Sequence, residues 1–249
     1  MLGHRIRRAA WAAAIAGSFI LVFAIVAFAQ QADPRQNAPG KFDFYVLALS
    51  WSPSYCESVK QRAPDRAAGL QCSGRPFSFV VHGLWPQYEQ GFPSYCQVPA
   101  ERLSQAIVSG MLDLMPSPRL IFHEWQRHGT CSGLTPPAYF ETLRKARALV
   151  KIPAGYLDPP SPVTVSPGDV ADAFIKANPG LTRAELAVTC DQTRLTEVRL
   201  CLSKDFAFHD CPGVAQRSCK RDKVIMPAVR AGGADKRAAL DSAIALSRH

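Results

Sequence analysis

The sequence predicts an α+β domain with a mainly antiparallel central sheet that is flanked by helices and cross-linked by disulfides. Segments with strand composition and segments with helical spacing follow one another without a regular strand–helix–strand alternation, which favours the α+β class. All eight cysteines lie after residue 29, and an even number in an exported chain predicts four disulfides. About 220 residues remain for the domain, enough for one substantial core.

The N-terminal segment has the features of an export signal. Three arginines precede an apolar stretch over 9–29, and Ala27-Phe28-Ala29 offers a small-x-small cleavage pattern. The stretch is also just long enough to cross a bilayer. Two interpretations of 1–29 therefore stand, a cleaved signal peptide and an uncleaved anchor. In both cases the domain leaves the cytosol, so we expect a periplasmic or secreted protein that does not associate stably with a membrane unless the signal is uncleaved.

The first elements of the domain are two predicted strands. A linker over 30–40, with two prolines and a glycine, precedes a stretch over 42–51 that first alternates and then becomes continuously apolar. That pattern is typical of a buried strand. A second apolar stretch over 77–81 predicts another strand, and His82 and Gly83 are expected at its exit.

Three helices are predicted next. Apolar residues at helical spacing predict a helix over 101–115, which a proline follows. A second helix is predicted over 120–128, with Gly129 in the role of a C-terminal cap. A third helix, over 137–150, carries proline in its first turn, where proline is tolerated.

The last third of the chain mixes all element types. The proline-rich segment 152–168 predicts a loop, and 169–177 a further helix. Polar and apolar residues alternate over 197–202, the pattern of a half-buried strand, and 224–227 predicts a short closing strand. The alanine-rich tail over 228–249 is weakly patterned, so we expect it to be helical or frayed.

The composition favours a polyanionic partner without identifying one. The full chain carries a net charge of +9, and about +6 remains once 1–29 is removed. Lysine and arginine contacts to phosphates release counterions, so a basic protein suits nucleic acid. Many exported proteins are basic without binding nucleic acid, however, so the charge alone carries little weight.

The most informative segment is 122–133, which brings four ionisable side chains together. On a helix, His123, Glu124, Arg127 and His128 fall within a sector of about 140°. A solvated charged face is the ordinary interpretation of such a run. The neighbouring aromatic residues and the following Cys131 argue against it, because they predict that this short element is partly buried. Together with His82, these groups suit acid–base chemistry on a phosphate, which indicates a ribonuclease.

A metal site must also be considered, since His123-Glu124 opens like the HExxH signature of zinc hydrolases. The second histidine, His128, arrives at i+5 rather than i+4, which rotates it about 140° from the first. One tetrahedral ion is then difficult for both to bind on a regular helix. We expect neither a metal nor another cofactor, and a metal-dependent phosphoesterase is kept as an alternative.

His82 stands in a second informative segment, 79–87. A lone histidine after a strand is usually structural, but Gly83 would allow close backbone approach and Trp85-Pro86 would offer a rigid apolar platform. Stacking of a nucleobase on tryptophan is worth on the order of 1–3 kcal/mol. A core aromatic is the alternative interpretation of Trp85, and the local sequence leaves it open.

The segments 79–87 and 122–133 resemble the paired signatures of the ribonuclease T2 family, the metal-independent acid endoribonucleases. Further similarity lies in Phe42–Cys56 and in the late segments around Cys201 and Cys211. The resemblance extends over about 41–227 and identifies the chain as an exported bacterial member of that family. It implies a single ribonuclease T2-like catalytic domain over 41–227.

The resemblance also implies roles for individual residues. His128 is expected to take the proton from the ribose 2′-hydroxyl, and His82 to protonate the departing 5′-oxygen. His123 is expected to hold the phosphate. Glu124 and Arg127 are expected to stabilise charge on the pentacoordinate phosphorus. The implied products are 2′,3′-cyclic phosphates and then 3′-phosphates.

Three positions depart from the pattern of this family. Arg127 stands where the family usually has lysine, so a planar fork replaces a point charge. Gln87 stands where several members carry an acid beside the base pocket, and Leu120 where some have an aromatic for the second base. We expect Trp85, Gln87 and Leu120 to contact bases with little preference among them.

The disulfide pairing follows from the resemblance alone, because eight cysteines allow 105 connectivities. The implied pairs are Cys56–Cys72, Cys96–Cys131, Cys190–Cys219 and Cys201–Cys211.

Taken together, these features predict a monomeric endoribonuclease with low base specificity that acts on single-stranded RNA and does not cleave DNA. The main alternative is a non-catalytic RNA-binding relative with the same fold. The complete set of His82, His123, Glu124 and His128 argues against it, because an inactive relative is expected to have lost at least one of them.

Overall fold

The computed structural model describes residues 36–63 and 69–229. The predicted signal segment 1–29 and the tail beyond residue 229 lie outside the described residues. Across the two described ranges, no helix combines the length and the apolar character that crossing a bilayer requires.

The strands are joined antiparallel throughout the described part of the chain. In chain order they are Phe44–Trp51 (β1), Phe79–Gln87 (β2), Val163–Val165 (β3), Leu186–Cys190 (β4), Leu195–Leu202 (β5) and Val224–Met226 (β6). The main sheet has the order β2-β1-β5-β4, and β3 pairs with β6 in a small second sheet. The α+β class with an antiparallel central sheet is thus confirmed. The strand β4 was not predicted, and β3 lies within the segment predicted to be a loop.

The second strand is longer than its sequence predicts. Gly83 and Pro86 are poor strand residues, so the prediction ends the strand before His82. In the structure β2 continues to Gln87. Pro86 is tolerated because β2 is an edge strand, where a missing N–H breaks no ladder. The expectation that His82 and Gly83 lie at the exit of the strand is therefore wrong.

His82 lies instead at a bulge inside β2. Ala48 of β1 pairs with Gly83, and the next residue, Leu49, pairs with Val81, so His82 is the extra residue of the edge strand. An extra residue bends its strand and changes the direction of its side chain. The bulge is the local reason that His82 leaves the sheet for the functional cleft.

The helices are Ser52–Arg62 (α1), Leu70–Ser73 (α2), Gln105–Met111 (α3), Pro118–Arg127 (α4), Pro136–Leu149 (α5), Pro167–Ala177 (α6) and Pro212–Ala215 (α7). The predicted helices over 120–128, 137–150 and 169–177 correspond to α4, α5 and α6. The predicted helix over 101–115 is shorter, because Ser104 caps its first turn by accepting from the backbone N–H of Ile107 at 3.3 Å. The helix α1 was not predicted.

The two faces of the main sheet have different roles. Alternate residues of β1, namely Tyr45, Leu47, Leu49 and Trp51, join the large core, to which α3, α4, α5 and α6 also contribute. Phe44 and Val46 point to the other face, where a smaller apolar cluster includes Cys201 and borders Trp85. A continuous core on one face leaves the opposite face free to carry polar groups.

Four disulfides join Cys56–Cys72, Cys96–Cys131, Cys190–Cys219 and Cys201–Cys211. These are the pairs that the family resemblance implies. The Cys96–Cys131 bridge holds the loop after β2 against the turn that follows α4. It therefore ties together the two segments that carry the candidate catalytic residues.

Candidate active site

The predicted catalytic side chains meet in one open cleft of about 270 Å³. The cleft is lined by His82, His123, Glu124, Arg127 and His128, together with the predicted base contacts Trp85 and Gln87. Leu120 lies apart from them, in a neighbouring cavity of about 740 Å³. His123 lines both cavities, so it stands at the border between the two.

The helix α4 presents its ionisable side chains because its other face is anchored. Ser117 caps its first turn, and Ile121 and Trp125 are fully buried in the core. The indole N–H of Trp125 also donates to the carbonyl of Glu101 at 2.7 Å. With these groups fixed, Glu124 and His128 are directed into the cleft.

The end of α4 differs from the prediction. Arg127 is its last residue, His128 is the C-cap, and a 3₁₀ turn over Gly129–Ser132 follows. Gly133, not Gly129, adopts the left-handed conformation, with φ of 75°. Gly129 is needed for space instead, because a Cβ at that position would overlap the ring of Trp125. The prediction that Gly129 caps the helix is therefore wrong.

Two carboxylates face the imidazole of His82. Its Nδ1 is hydrogen-bonded to Oε1 of Glu197, and its Nε2 lies 3.6 Å from Oε1 of Glu124. Burial alone would lower the pKa of His82. The hydrogen bond to Glu197 and the charges of both carboxylates outweigh burial, so the pKa of His82 is raised above its usual value.

Glu197 is a buried carboxylate that accepts hydrogen bonds on both oxygens. Besides His82, Ser50 donates its hydroxyl to Oε1 at 3.0 Å. Arg199 donates from Nε and Nη2 to Oε2, at 2.9 and 2.7 Å. Burial by itself would raise the pKa of this carboxyl, but His82 and Arg199 lower it to about 2. Glu197 is therefore ionised at every pH well above 2.

Glu124 is held by Trp85, whose indole N–H donates to Oε2 at 2.6 Å. The carboxyl is almost entirely buried, and burial raises its pKa to about 7. Gly83 makes room for this contact, because a Cβ there would overlap both the Glu124 carboxyl and the indole nitrogen. Only glycine fits at this position of β2.

His128 has the opposite surroundings to His82. It is buried beside the ring of Trp85, at a centroid separation of 5.3 Å. Within the described residues its Nδ1 has no hydrogen-bond partner, and neither has Nε of Arg127. Burial, and then the positive charge of Arg127, lower the pKa of His128 to about 3. The imidazole is therefore neutral at mildly acidic pH.

His123 is the exposed histidine of the cluster. Burial of part of the ring and the charge of Arg127 lower its pKa below the usual value. Its position at the border between the two cavities suits a group that contacts a phosphate linking two nucleosides.

The three predicted base contacts occupy different surroundings. The side-chain amide of Gln87 is buried and donates to the carbonyl of Pro86 at 2.9 Å, with the cleft beside it. Leu120 is half-buried at the wall of the second cavity. Trp85 packs against His82 and His128, and its indole N–H donates to Glu124, so the ring is in contact with three of the predicted catalytic side chains.

Sequence reasoning missed Glu197, which contacts His82, and five residues that line the cleft: Val46, Phe92, Arg199, Val214 and Arg217. Two of them left a signal, since the alternation of Glu197-Val198-Arg199 places both charges on one face of a strand. Which strands pair with β5 cannot be read from that alternation. Phe92 and Arg217 lie in loops or at a helix end without a motif.

In the described part of the chain, no three His, Cys, Asp or Glu side chains form a cluster that could hold a metal ion. The cleft holds a set of acids, bases and cations whose chemistry is proton transfer and charge stabilisation.

Comparison with known proteins finds ribonucleases among those that resemble this chain. A ribonuclease of Aeromonas hydrophila is 50% identical over 96 residues, which cover 39% of this chain and 40% of that protein. A probable ribonuclease of Haemophilus influenzae is 32% identical over 127 residues, 47% of each chain. The aligned region thus spans less than half the length of either relative.

Among solved structures, RNase NT in complex with 5′-AMP superposes with a TM-score of 0.56 at 26% identity, covering 69% of this chain and 91% of that one. The profile of the Ribonuclease T2 family matches residues 42–211, a span that includes both histidine segments of the cleft. The chain therefore belongs to the Ribonuclease T2 family.

Proposed function

We propose that the protein is an endoribonuclease that cleaves single-stranded RNA by transphosphorylation. The 2′-hydroxyl loses its proton and its oxygen bonds to phosphorus, while the bond from phosphorus to the 5′-oxygen of the next nucleotide breaks. The departing oxygen takes a proton. The products are a 2′,3′-cyclic phosphate and a free 5′-hydroxyl, and water then opens the cyclic phosphate to a 3′-phosphate.

One observation carries the proposal: two histidines of a single cleft stand in opposite charge environments. His82 faces two carboxylates, which favour its protonated form, whereas His128 is buried beside a guanidinium, which favours its neutral form. Groups whose pKa values are pushed apart in this way are suited to serve as acid and base in one reaction.

The roles follow from these protonation states. Neutral His128 is the base that takes the 2′-hydroxyl proton, and protonated His82 is the acid that supplies the proton to the 5′-oxygen. Because the pKa of His128 is about 3, it remains a base well below neutral pH. This supports activity in the mildly acidic range.

The remaining cluster stabilises the phosphate. His123 stands at the border of the two cavities, where a phosphate between two nucleosides would lie. Arg127 supplies a fixed positive charge. Glu124, with a pKa of about 7, holds a proton below that pH and can then donate a hydrogen bond to a phosphoryl oxygen. All three act on the charge that develops on the pentacoordinate phosphorus.

Base recognition is proposed to be weak. Gln87 presents an amide, which can pair with more than one base edge, and Leu120 offers an apolar wall without hydrogen-bonding groups. Trp85, which is packed among the catalytic side chains, contributes little stacking surface of its own. Cleavage rates of the 16 dinucleotides should lie within about a hundredfold, since neither an amide nor an apolar wall selects a single base.

The substrate range, the compartment and the oligomeric state are part of the same proposal. DNA is not a substrate because it lacks the 2′-hydroxyl, and single-stranded RNA is preferred because the cleft must reach an unpaired backbone. The disulfides suit an oxidising compartment, so the catalytic domain over 41–227 is proposed to act in the periplasm or outside the cell, as a monomer, after a signal over 1–29.

The test is cleavage of a defined single-stranded RNA by the disulfide-bonded protein near pH 6 in excess EDTA, with the fragment ends read by mass spectrometry. Cyclic-phosphate ends that vanish in His82→Ala and in His128→Ala support the proposal. His209→Ala is the matched control, because His209 lies outside the cleft, beside Phe44 and Glu89. Absence of cleavage by the correctly bonded wild-type protein would favour the non-catalytic RNA-binding alternative.

A further inference from the structure

We infer that Glu197 is a positioning residue for the general acid of this site. It holds His82 by Nδ1, so that Nε2 faces the scissile phosphate and carries the proton that the 5′-oxygen receives. The inference rests on the proposed function, because it assigns a means of action to one of the two histidines of that mechanism.

Strand pairing brings the two residues together from distant parts of the chain. Glu197 of β5 is the register partner of Ser50 in β1, and Ser50 is in turn the partner of Val80 in β2. The bulge at His82 then directs the imidazole back across β1 towards Glu197. His82 and Glu197 are 115 positions apart in sequence, so no local motif contains both.

The carboxylate is fixed before it meets His82. Arg199 occupies Oε2 with two hydrogen bonds, and the hydroxyl of Ser50 donates to Oε1, the oxygen that also contacts His82. Because Glu197 is buried and fully hydrogen-bonded, it has one orientation. An ionised carboxylate can only accept, so Nδ1 of His82 must be the donor.

Because Nδ1 of His82 donates to Glu197, Nε2 is the nitrogen left to act in the cleft. With Nδ1–H directed at Glu197, Nε2 is the nitrogen that faces the cleft, 3.6 Å from Oε1 of Glu124. When the ring is protonated, the proton on Nε2 is the one available for transfer. A carboxylate that orients a catalytic imidazole in this way fixes both the tautomer and the direction of the ring.

The charges around His82 show why Glu197 is needed. The groups that face it are Glu197 and Arg199 from β5, Glu124 from α4, and the histidines His123 and His128. Burial and the charge of Arg199 disfavour the protonated ring, and Glu124 is itself mostly neutral below pH 7. Glu197 is therefore the main permanent negative charge that keeps the acid protonated.

The experiment compares two substrates in Glu197→Gln. A dinucleotide has a poor leaving group that needs the acid, whereas a nucleoside 3′-(4-nitrophenyl phosphate) has a good leaving group that does not. We expect kcat for the dinucleotide to fall on the order of 10–100-fold, part of the 10²–10⁴-fold that an acid contributes. For the nitrophenyl ester we expect a change below about threefold. The alkaline limb of the dinucleotide pH profile should move to lower pH.

Two further variants separate positioning from a merely structural role. Glu197→Asp keeps the charge, so it should leave the alkaline limb in place even if the shorter side chain lowers the rate. Glu185→Gln alters another buried glutamate, which caps the 3₁₀ turn Arg183–Glu185 away from the cleft. It should affect both substrates equally. Histidine NMR titration of Glu197→Gln measures the protonation of His82 directly, with no requirement for activity.

The outcomes distinguish the inference from the function on which it rests. Equal losses on both substrates, or an unchanged titration of His82 in folded Glu197→Gln, would overturn the inference and leave the ribonuclease proposal intact. Wild-type protein that cleaves neither substrate would overturn both. A selective loss on the dinucleotide, together with a shifted titration, supports the positioning role.

Discussion

The sheet side and the helix side of the cleft each contribute one histidine, and the two sides treat it oppositely. On the sheet side, His82 is hydrogen-bonded to Glu197, a carboxylate that Arg199 and Ser50 hold in place. On the helix side, His128 is buried at the end of α4, and its Nδ1 has no partner among the described residues. One ring is fixed and favoured as a cation, and the other is favoured as a neutral base.

Neighbouring charges, not the residue type, determine which of the two histidines is favoured in its protonated form. Both rings contact Trp85, at centroid separations of 5.2 and 5.3 Å. His128 is buried and His82 is half-buried. Burial by itself would lower the pKa of both histidines. Only His82 has carboxylates to reverse that effect, and in the proposed mechanism this reversal makes His82 the acid and leaves His128 as the base.

The largest effects are expected when the proposed base and acid are removed in turn. Two substrates separate the roles, because both need the base but only one needs the acid. His128→Ala should lower kcat/KM by about 10²–10⁴-fold on a dinucleotide and by a similar factor on a nucleoside 3′-(4-nitrophenyl phosphate), since both require the base. His82→Ala should be as damaging on the dinucleotide but nearly silent on the nitrophenyl ester. Steady-state rates at pH 6 measure all four values.

The reverse pattern would exchange the assignments of acid and base. Similar losses on both substrates for both variants would indicate that the histidines bind the phosphate and do not transfer protons. His209→Ala, at a histidine outside the cleft, should stay within about twofold of wild type, as surface substitutions usually do.

A second prediction compares the pKa values of His82 and His128 directly and does not depend on an activity assay. In a histidine NMR titration, the midpoint of His82 should lie above about 6.5, and His128 should remain neutral down to about pH 4. Substitution of Arg127 by Met should raise the midpoint of His128, because the guanidinium helps to lower it. Coincident midpoints for the two histidines in the free protein would remove the basis for assigning different roles.

A third prediction concerns stability on the helix side. Burial raises the pKa of Glu124 to about 7, so folding favours its neutral form, and its contribution to stability is lost as pH rises through about 7. Glu124→Gln imitates the neutral form. Relative to wild type it should gain stability between pH 4.5 and pH 8.5, by up to about 3 kcal/mol, since each pH unit is worth about 1.4 kcal/mol.

Urea unfolding at the two pH values measures this gain. Glu141→Gln is the control, because Glu141 is fully exposed in an ion pair with Lys145 on α5 and should show little change between them. A gain for Glu124→Gln that is identical at pH 4.5 and pH 8.5 would show that the carboxyl is not held neutral by the fold.

A fourth prediction tests the close contact between β2 on the sheet side of the cleft and α4 on the helix side. A Cβ on Gly83 of β2 would overlap the Glu124 carboxyl of α4 and the indole nitrogen of Trp85. Gly83→Ala should therefore cost about 1–3 kcal/mol and reduce activity, as overpacking does. Gly110→Ala is the matched control, since a Cβ there meets nothing within 4 Å and lies in a helix, where alanine is favoured. Equal thermal stabilities would mean that β2 and α4 are not in contact.

The helix side of the cleft was predictable from sequence, and the sheet side largely was not. His123, Glu124, Arg127 and His128 are close in sequence, so helical geometry alone brings them to one sector. Glu197 reaches His82 only through the pairing of three strands and a bulge, which depend on contacts far apart in sequence. Alternation in β5 shows which of its residues share a face and leaves the partner strands open.

The errors in element boundaries have the same origin. Gly83 and Pro86 disfavour a strand locally, yet β2 continues through them, because it is an edge strand and because Glu124 needs the space above Gly83. A glycine at position 129 is typical of a helix end, yet glycine is required there because a Cβ would overlap the ring of Trp125. In each case tertiary contact overrides the local preference that the prediction uses.

The smallest effect is expected at Arg127, the cation beside the base. The family resemblance places lysine there, and Nε of Arg127 is buried without a hydrogen-bond partner among the described residues. Arg127→Lys keeps the charge that disfavours a protonated His128 and removes the buried donor. We expect kcat/KM on the dinucleotide to stay within about fivefold of wild type, because the charge and not the planar fork acts here. A loss beyond a hundredfold would mean that the guanidinium binds the phosphate through its fork, and the helix side would then contribute directional binding as well as a neutral base.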